Sequence, residues 1–170
     1  MNRMKYEVKS YYKSINDINF NRLKEKGIKL LIIDLDNTLG TVKEKVISKE
    51  KEKLIKDLKK DFIVVVASNN SRFRVSLFLN GICDYICLAL KPTKRLYRIV
   101  KKKYNVNSGD CAIIGDQFVT DIRLGNKVGF YTILVDPIGK DGKVSFVNRL
   151  IEKRIKDKIQ FKDGEYFEKD

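Results

Sequence analysis

The 170-residue sequence contains no histidine, and this absence excludes several kinds of enzyme. Hydrolases with a Ser-His-Asp or Cys-His arrangement, and metalloproteases with an HExxH motif, all need an imidazole. A zinc site is also disfavoured, because zinc sites are built mainly from histidine and cysteine and the chain has only three cysteines. Any catalysis must therefore rely on carboxylates, lysines, hydroxyl groups or a metal held by oxygen ligands.

A disulfide framework and long hydrophobic segments are missing as well. Cys83, Cys87 and Cys111 are odd in number and lie in or beside apolar segments, which is typical of reduced thiols. No stretch approaches the roughly 20 apolar residues of a membrane span, and the first residues lack the apolar core of a signal peptide. We therefore expect a cytoplasmic protein.

Acidic residues are scarce relative to basic ones. The chain has 22 Asp and Glu against 36 Lys and Arg, which gives a formal net charge of +14. Such a charge attracts phosphate groups, nucleic acid or an anionic membrane surface. Lysine greatly outnumbers arginine, however, and the charges are scattered over many predicted helix faces, which is typical of a solvated surface. The charge alone leaves both interpretations open.

What the sequence does contain is a buried-strand pattern that ends in acid, in IKLLIIDLDNTL at 28–39. Residues 30–33 form an unbroken aliphatic run, as expected of a parallel strand covered on both faces. Asp34 and Asp36 follow, and side chains two apart on a strand point the same way. Ligands of open α/β sheets bind beyond the carboxyl ends of the strands. An exposed acidic loop would give the same local pattern, so these two residues alone do not distinguish a ligand site from such a loop.

Polar groups also follow the next two predicted strands. The strand at 62–67 ends in Ser68 and Asn69, and a short strand near 85–89 leads to Lys91. Because the carboxyl ends of neighbouring parallel strands meet at one sheet edge, we expect these groups beside the acidic pair. The serine and asparagine cluster is equally suited to cap the following helix, and capping is compatible with phosphate binding at a helix start.

The predicted strand at 111–116 ends in Asp116, and Asp121 lies five residues further on, in GDQFVTD. A second acidic strand end in one parallel sheet, beside a lysine and a serine, predicts that carboxylates converge. Converging carboxylates need a hard cation with oxygen ligands, and Mg²⁺ is the usual ion when phosphate completes the shell. The sequence therefore predicts a magnesium site at this sheet edge.

Strand and helix patterns alternate about five times, which predicts an α/β fold: a three-layer α/β/α sandwich with a parallel, Rossmann-like sheet. Gly27 is expected to end a first helix, and Gly125 and Gly129 are expected to flank a short one. No repeat or linker-like segment is present. We therefore predict a single domain over 1–170, with an N-terminal arm at 1–26, a core at about 28–136, and a C-terminal helix and loosely held tail at 143–170.

These motifs resemble those of the haloacid dehalogenase (HAD) superfamily of phosphatases. DLDNT at 34–38 resembles the first motif, DxDx(T/V), the turn at Ser68 the second, Lys91 the third, and GDQFVTD at 115–121 the fourth. Four motifs in the right order at strand ends are far more specific than any one of them. The segments LDNTL, ASNNS, ALKP, GNKVGFYTILVDPI and NRLIEKRI are also similar to the YqeG family of subclass IIIA, whose relatives include mitochondrial phosphatidylglycerophosphatases.

The resemblance implies a role for each matching residue. Asp34 would be the nucleophile that forms an aspartyl-phosphate, Asp36 the general acid and base, and Lys91 the cation that offsets charge at the nucleophile. The phosphate-binding residues would be Ser68, Asn69 and Thr38, with Thr38 supporting the loop. The Mg²⁺ ligands would be Asp34, Asp36 through its backbone carbonyl, Asp116 and Asp121.

The implied activity is Mg²⁺-dependent hydrolysis of a phosphomonoester. Many members of the superfamily carry a cap domain, but each gap here, about 25 residues before the second strand and about 20 before Lys91, holds only one helix and its connections. A capless, open site favours a bulky substrate or closure by a partner subunit. The substrate class would include a lipid head group such as phosphatidylglycerophosphate, met by peripheral contact at the inner membrane face. The alternatives are a soluble sugar phosphate, a nucleic-acid end, or a HAD-like scaffold that binds RNA or a ribonucleoprotein.

Overall fold

The computed structural model describes residues 6–139, 146–162 and 164–169. The strands are β1 (Ser10–Tyr12), β2 (Leu30–Ile33), β3 (Ile63–Ala67), β4 (Asp84–Ile86), β5 (Cys111–Gly115), β6 (Tyr131–Val135) and β7 (Phe167–Glu168). The α-helices are α1 (Phe20–Glu25), α2 (Lys49–Leu58), α3 (Arg72–Leu79), α4 (Arg95–Tyr104), α5 (Arg123–Val128) and α6 (Phe146–Ile159). A π-helical turn, Phe118–Ile122, leads directly into α5.

The seven strands form one sheet in the order β4-β3-β2-β5-β6-β1-β7. Every neighbouring pair is parallel except β1 with β7. Helices connect the parallel strands and cover both faces of the sheet. The predicted α/β sandwich with a parallel sheet is therefore confirmed.

Strand β2 lies in the middle of this sheet and is fully buried, as its aliphatic run predicts. Its side chains alternate between two hydrophobic cores. Leu31 and Ile33 pack in the core that includes residues of α2 and α3, and Leu30 and Ile32 pack in the core that includes residues of α4 and α5. Burial of each such side chain contributes roughly 1.5–3 kcal/mol, so β2 is firmly anchored on both faces.

Helix ends follow the local sequence signals. Asn19, Ser48 and Ser71 cap α1, α2 and α3, and each side-chain oxygen accepts a hydrogen bond from a backbone N–H of the first turn. Gly27, at φ +80°, follows α1 at the predicted stop. The caps fix where each helix begins after its strand, which sets the position of the loops at the sheet edge.

The two ends of the described chain differ from the prediction. The arm contributes β1, which pairs in parallel with β6, and the tail contributes β7, which pairs antiparallel with β1. The prediction of a loosely held tail was therefore wrong. Two kinds of contact hold the tail in place. The Tyr11 ring packs against the rings of Phe161 and Phe167, and the Tyr166 hydroxyl donates a hydrogen bond to Asp136 at 2.6 Å. The parts of the predicted arm and C-terminal segment at 1–5, 143–145, 163 and 170 lie outside the described residues.

Helix α5 also departs from the predicted pattern. Gly129 ends it with a left-handed backbone, as predicted, but Gly125 lies inside the helix instead of at its start. A Cβ at Gly125 would lie 2.4 Å from Thr132 Cγ2 and 2.8 Å from Ile113 Cγ2. The glycine is therefore needed for close packing of α5 on the sheet.

The connections that could hold a cap domain are short. Between β2 and β3 the chain forms one turn and α2, and between β3 and β4 it forms α3. The fold is therefore capless, as predicted. Across the described ranges, no helix has the length and apolar character needed to cross a membrane.

The packing of α5 generates a first prediction. We expect Gly125→Ala to lower the free energy of unfolding by about 1–3 kcal/mol, because the new methyl group meets two β-branched side chains on buried strands. Urea unfolding measures this change. Gly109→Ala is the matched control, since a Cβ there meets no atom within 4 Å. Equal stability of the two variants would contradict the packing argument.

Candidate active site

Three neighbouring strands end at one edge of the sheet and deliver polar groups there. The register pairs Ile33 of β2 with Val66 of β3 and with Ile114 of β5, and the N–H of Asp34 extends the ladder to the Ile114 carbonyl at 2.9 Å. The residues that follow these partners therefore lie side by side. They include Asp34, Ser68 and Asp116, as the sequence predicted.

Lys91 places a buried cation among these acids. Its Nζ lies 2.5 Å from Asp34 Oδ1 and 2.7 Å from Asp121 Oδ1, and only 3% of its side chain is exposed. Burial alone would lower the pKa of Lys91, but the charges of Asp121 and Asp34 and their hydrogen bonds outweigh burial and raise it. The ammonium is therefore fixed in its charged form between two carboxylates.

Asp34, Asp116 and Asp121 form an acidic cluster whose ligand oxygens all lie within 4.8 Å of one another. Burial raises the pKa of Asp34 to about 7, although the Lys91 ammonium opposes this shift. Burial, with the charges of Asp34 and Asp121, raises the pKa of Asp116 to about 9. Without a cation the cluster therefore retains protons near neutral pH.

The cluster fits a divalent cation. Asp116 Oδ1 is buried and has no hydrogen-bond partner among the described residues, which leaves it available as a ligand. Gly115 makes room for Asp121, because a Cβ there would lie 2.3 Å from Asp121 Oδ2. Three carboxylates that share one small volume supply the oxygen ligands that hard cations prefer.

The fourth predicted carboxylate, that of Asp36, lies in a different environment. Arg74 Nη2 donates to Asp36 Oδ1 at 2.9 Å, and the Asn70 side-chain amide donates to Asp36 Oδ2. The acidic cluster therefore contains three of the four predicted carboxylates. Asp36 is instead held beside the start of α3.

Arg74 is a site residue that the sequence reasoning missed. Its guanidinium also donates to the carbonyls of Thr41, at 3.2 Å, and Glu44, and it lies 5.2 Å from the centre of the Phe78 ring. Its signal in the sequence is weak: an arginine in the first turn of the helix that follows the SNNS segment. Arg74 therefore joins the loop after β2 to the carboxylate of Asp36.

Asn69 and Ser68 organise the neighbouring turn. The Asn69 side chain accepts from the Lys91 N–H at 2.8 Å and donates to the Lys91 carbonyl at 3.1 Å, so it clamps the backbone of the lysine. Ser68 is buried and its Oγ accepts from the Asn70 N–H at 3.1 Å, which leaves the hydroxyl hydrogen available to donate. The phosphate-binding roles of Ser68 and Asn69 stay predictions, and the Asn69 side chain is engaged with Lys91.

Thr38 lies in the tight turn that follows Asp36. Its hydroxyl is buried and has no hydrogen-bond partner among the described residues, and the Leu35 carbonyl accepts from the N–H groups of Leu39 and Gly40. The phosphate-binding role of Thr38 stays a prediction. Its burial is compatible with support of the loop.

Comparison with known proteins provides independent information. The model of the HAD-hydrolase-like family matches residues 89–143. Probable phosphatase YqeG from Bacillus subtilis (strain 168) is 34% identical over 148 residues, which covers 85% of this chain and 86% of that protein.

Solved structures agree on the fold. A predicted HAD-like family hydrolase from Porphyromonas gingivalis has a TM-score of 0.54 at 13% identity and covers 74% of this chain and 98% of its own. A HAD family enzyme from Bacteroides thetaiotaomicron, solved as a magnesium complex, has a TM-score of 0.52 at 14% identity and covers 69% of this chain and 97% of its own.

The raised pKa values generate a prediction about cation binding. A cation binds the ionised carboxylates, so Mg²⁺ must displace the protons that Asp116 and Asp34 retain near pH 7. We expect proton release on binding, and tighter binding as the pH rises from about 6 to about 8. Calorimetric titration in buffers of different ionisation enthalpy measures both quantities.

Two variants test whether the binding occurs in the acidic cluster. Asp116→Asn should weaken Mg²⁺ binding by about tenfold or more, because it removes an anionic ligand. Asp84→Asn is the control, since Asp84 pairs with Lys103 and Tyr104 on the surface. Equal weakening by both substitutions, or binding without proton release, would argue against the cluster.

Proposed function

Because the chain belongs to the HAD superfamily and, within it, to the YqeG family of phosphatases, we propose that it hydrolyses phosphomonoesters through an aspartyl-phosphate on Asp34. The observation that carries this proposal is the buried contact of Lys91 with the carboxylates of Asp34 and Asp121. An anionic nucleophile repels an anionic phosphate, and a fixed ammonium beside the nucleophile reduces this repulsion.

The nucleophilic step belongs to Asp34. Lys91 occupies Oδ1, whereas Oδ2 makes no hydrogen bond to a described residue, so we assign the attack on phosphorus to Oδ2. As the new bond forms, the bond between phosphorus and the ester oxygen of the substrate breaks. Water then attacks the aspartyl-phosphate, which releases phosphate and restores Asp34.

Proton transfer belongs to Asp36. In the first step it donates a proton to the departing alkoxide, and in the second it accepts a proton from the attacking water. Arg74 and Asn70 hold its two oxygens and thereby fix the direction in which the carboxylate points. The Ser68 hydroxyl, whose hydrogen is available, is placed to donate to a phosphoryl oxygen.

We propose Mg²⁺ as the cofactor, held by the carboxylates of Asp34, Asp116 and Asp121 and by the backbone carbonyl of Asp36. Support comes from the orphaned oxygen of Asp116, from the spacing of the three carboxylates, and from the structural neighbour solved with magnesium. Bound Mg²⁺ would offset the negative charge that the carboxylates share with the phosphoryl oxygens.

As substrate class we propose a phosphomonoester on a lipid head group, such as phosphatidylglycerophosphate. The enzyme would meet it from the cytoplasm, by peripheral contact with the inner face of the membrane. A capless fold leaves the site open to a head group that remains attached to its bilayer. The net charge of +14 favours approach to an anionic surface.

The first test is phosphate release. Asp34→Asn should lower the rate on a generic aryl phosphate by at least about 10³-fold, because an amide is a poor nucleophile. Asp57→Asn is the control, since Asp57 lies on the surface of α2 and pairs with Lys60. A rate for Asp34→Asn equal to that of wild type would refute the mechanism.

The same assay identifies the substrate class. We expect the highest kcat/KM on phosphatidylglycerophosphate in mixed micelles, compared with a sugar phosphate and a 5′-phosphorylated oligonucleotide. A preference for either soluble substrate would keep the mechanism but reject the lipid assignment. RNA binding that survives Asp34→Asn, with no phosphatase activity in wild type, would instead favour a binding scaffold.

Arg74 gives a third prediction for this mechanism. Arg74→Gln should lower kcat by about 10- to 100-fold with little change in KM, because a misdirected Asp36 slows chemistry more than binding. Arg74→Lys should recover part of the loss. Arg98→Gln, an exposed position on α4, is the control. A change confined to KM, or no recovery by lysine, would show that Arg74 does not position Asp36.

A further inference from the structure

Exposed apolar side chains are concentrated on α3 and in the loops that leave the sheet edge that holds the site. Of twelve large apolar side chains that are more than a third exposed among the described residues, seven lie on α3 or in the loops at this edge. Six of them form what we call the apolar rim: Val42, Val46, Phe73, Leu77, Leu88 and Leu90. Large exposed apolar patches mark interaction surfaces more often than scattered exposed residues do.

Several rim residues adjoin the residues of the site. Leu88 and Leu90 come three residues and one residue before Lys91, and the Leu88 N–H donates to the Asn70 carbonyl at 3.0 Å. Phe73 directly precedes Arg74. The loop that carries Val42 is joined to Arg74 through the Thr41 carbonyl. The rim therefore adjoins the site through the loops after β2 and β4 and through the first turn of α3.

Two rim residues are exposed despite a backbone cost. Leu88 (φ 45°) and Leu90 (φ 54°) both have a left-handed backbone, which is unfavourable for a residue with a bulky side chain. Each side chain is 52% exposed, so hydrophobic burial within this chain does not offset the unfavourable backbone conformation. Between them Ala89 is fully buried. The loop thus directs two leucines outward on either side of a buried anchor.

Helix α3 shows the same outward display. Its buried face carries Val75, Phe78 and Leu79, which is enough to hold it on the sheet. Phe73 and Leu77, one turn apart and therefore neighbours on the helix surface, are 76% and 45% exposed. The helix is thus apolar on both its buried and its exposed faces.

Outside the carboxylates of the site, the chain segments that carry the rim are mostly positively charged. Segments 41–47, 70–77 and 86–95 contain seven basic residues and one acidic residue, Glu44. Arg74 and Lys91 serve the site, and the other five, all exposed, are Lys43, Lys45, Arg72, Lys94 and Arg95. Exposed aliphatic and aromatic residues flanked by cations match an anionic lipid interface, with its acyl chains below charged head groups.

We propose that the apolar rim docks the protein on an anionic phospholipid bilayer and presents the open site to the head-group layer. This inference rests on the proposed phosphatase function and specifies the surface through which the enzyme meets its substrate. Nucleic acid is a poorer match, because single strands stack on aromatic residues and the rim offers one, Phe73. A second copy of this chain is also a poorer match to the rim, because a symmetric contact would bring two basic surfaces together.

Vesicle flotation of the full chain tests the proposal. The rim variants are Phe73→Ser/Leu77→Ser and Leu88→Asn/Leu90→Asn, the second chosen because asparagine tolerates a left-handed backbone. The control is Leu150→Ser/Ile151→Ser, which removes two exposed apolar side chains from α6. Vesicles contain equal parts of phosphatidylglycerol and phosphatidylcholine, or phosphatidylcholine alone. Aryl phosphate hydrolysis by each variant reports whether the site and the fold are intact.

We expect wild type, the α6 control and Asp34→Asn to bind anionic vesicles and to bind neutral vesicles weakly. Each rim variant should lose vesicle affinity by about tenfold or more while retaining the wild-type rate on aryl phosphate. The proposal is overturned if wild type does not bind anionic vesicles, or if both rim variants bind them as wild type does. It is also overturned if the rim variants instead lose binding to polyuridylate or convert a dimer to a monomer in light scattering.

These outcomes are separable from failure of the proposed function. Vesicle binding of Asp34→Asn does not depend on catalysis, and aryl phosphate hydrolysis does not depend on a bilayer. Rim-dependent vesicle binding without any phosphatase activity would reject the enzyme assignment and retain the docking surface. Hydrolysis of aryl phosphate without vesicle binding would reject the docking surface and retain the enzyme assignment.

Discussion

The structure depends on one buried ion cluster, in which the ammonium of Lys91 lies between the carboxylates of Asp34 and Asp121. Three carboxylates at the end of a buried sheet would be costly to ionise without a compensating cation. The lysine compensates part of this charge, and Asn69 holds its backbone in place with two hydrogen bonds. The lysine leaves Asp116 Oδ1 without a hydrogen-bond partner among the described residues, and this oxygen is the one available to a cation.

The rigidity needed for this cluster comes from the strand beneath it. Because β2 is packed on both faces, Asp34 begins from a backbone that cannot shift toward either helix layer. The register of β2 with β3 and β5 brings Ser68 and Asp116 beside Asp34, and no side-chain contact is needed for this alignment. The geometry of the site is thus mostly a property of parallel strand ends, and side-chain contacts refine it.

The same reasoning explains which parts could be predicted from the sequence. Asp34 and Asp116 follow apolar runs on neighbouring parallel strands, so their convergence was predictable. Lys91 also follows an apolar run, but it lies five residues beyond β4, and its position depends on that loop and on its two hydrogen bonds with Asn69. The contact of Arg74 with Asp36 was not predictable, because it depends on how the first turn of α3 faces the loop after β2, across 38 residues. Strands β1 and β7 were missed for a related reason. They are three and two residues long, too short for a periodic signal, and packing against the aromatic tail and β6 determines their conformation.

The pairing of β1 with β6 has a consequence for how the chain assembles. Ser10 is aligned with Ile133, so β1 pairs with a strand that lies more than 120 residues later in the chain. Closing a loop of that length is entropically costly, whereas the pairs of β2 with β3 and of β3 with β4 join residues much closer in sequence. On a growing polypeptide the sheet should therefore begin with β2, β3 and β4 and extend toward the edge formed by β1 and β7. The edge formed by β1 and β7 would then be the last part to gain protection from hydrogen exchange, and the first to lose it under mild denaturation.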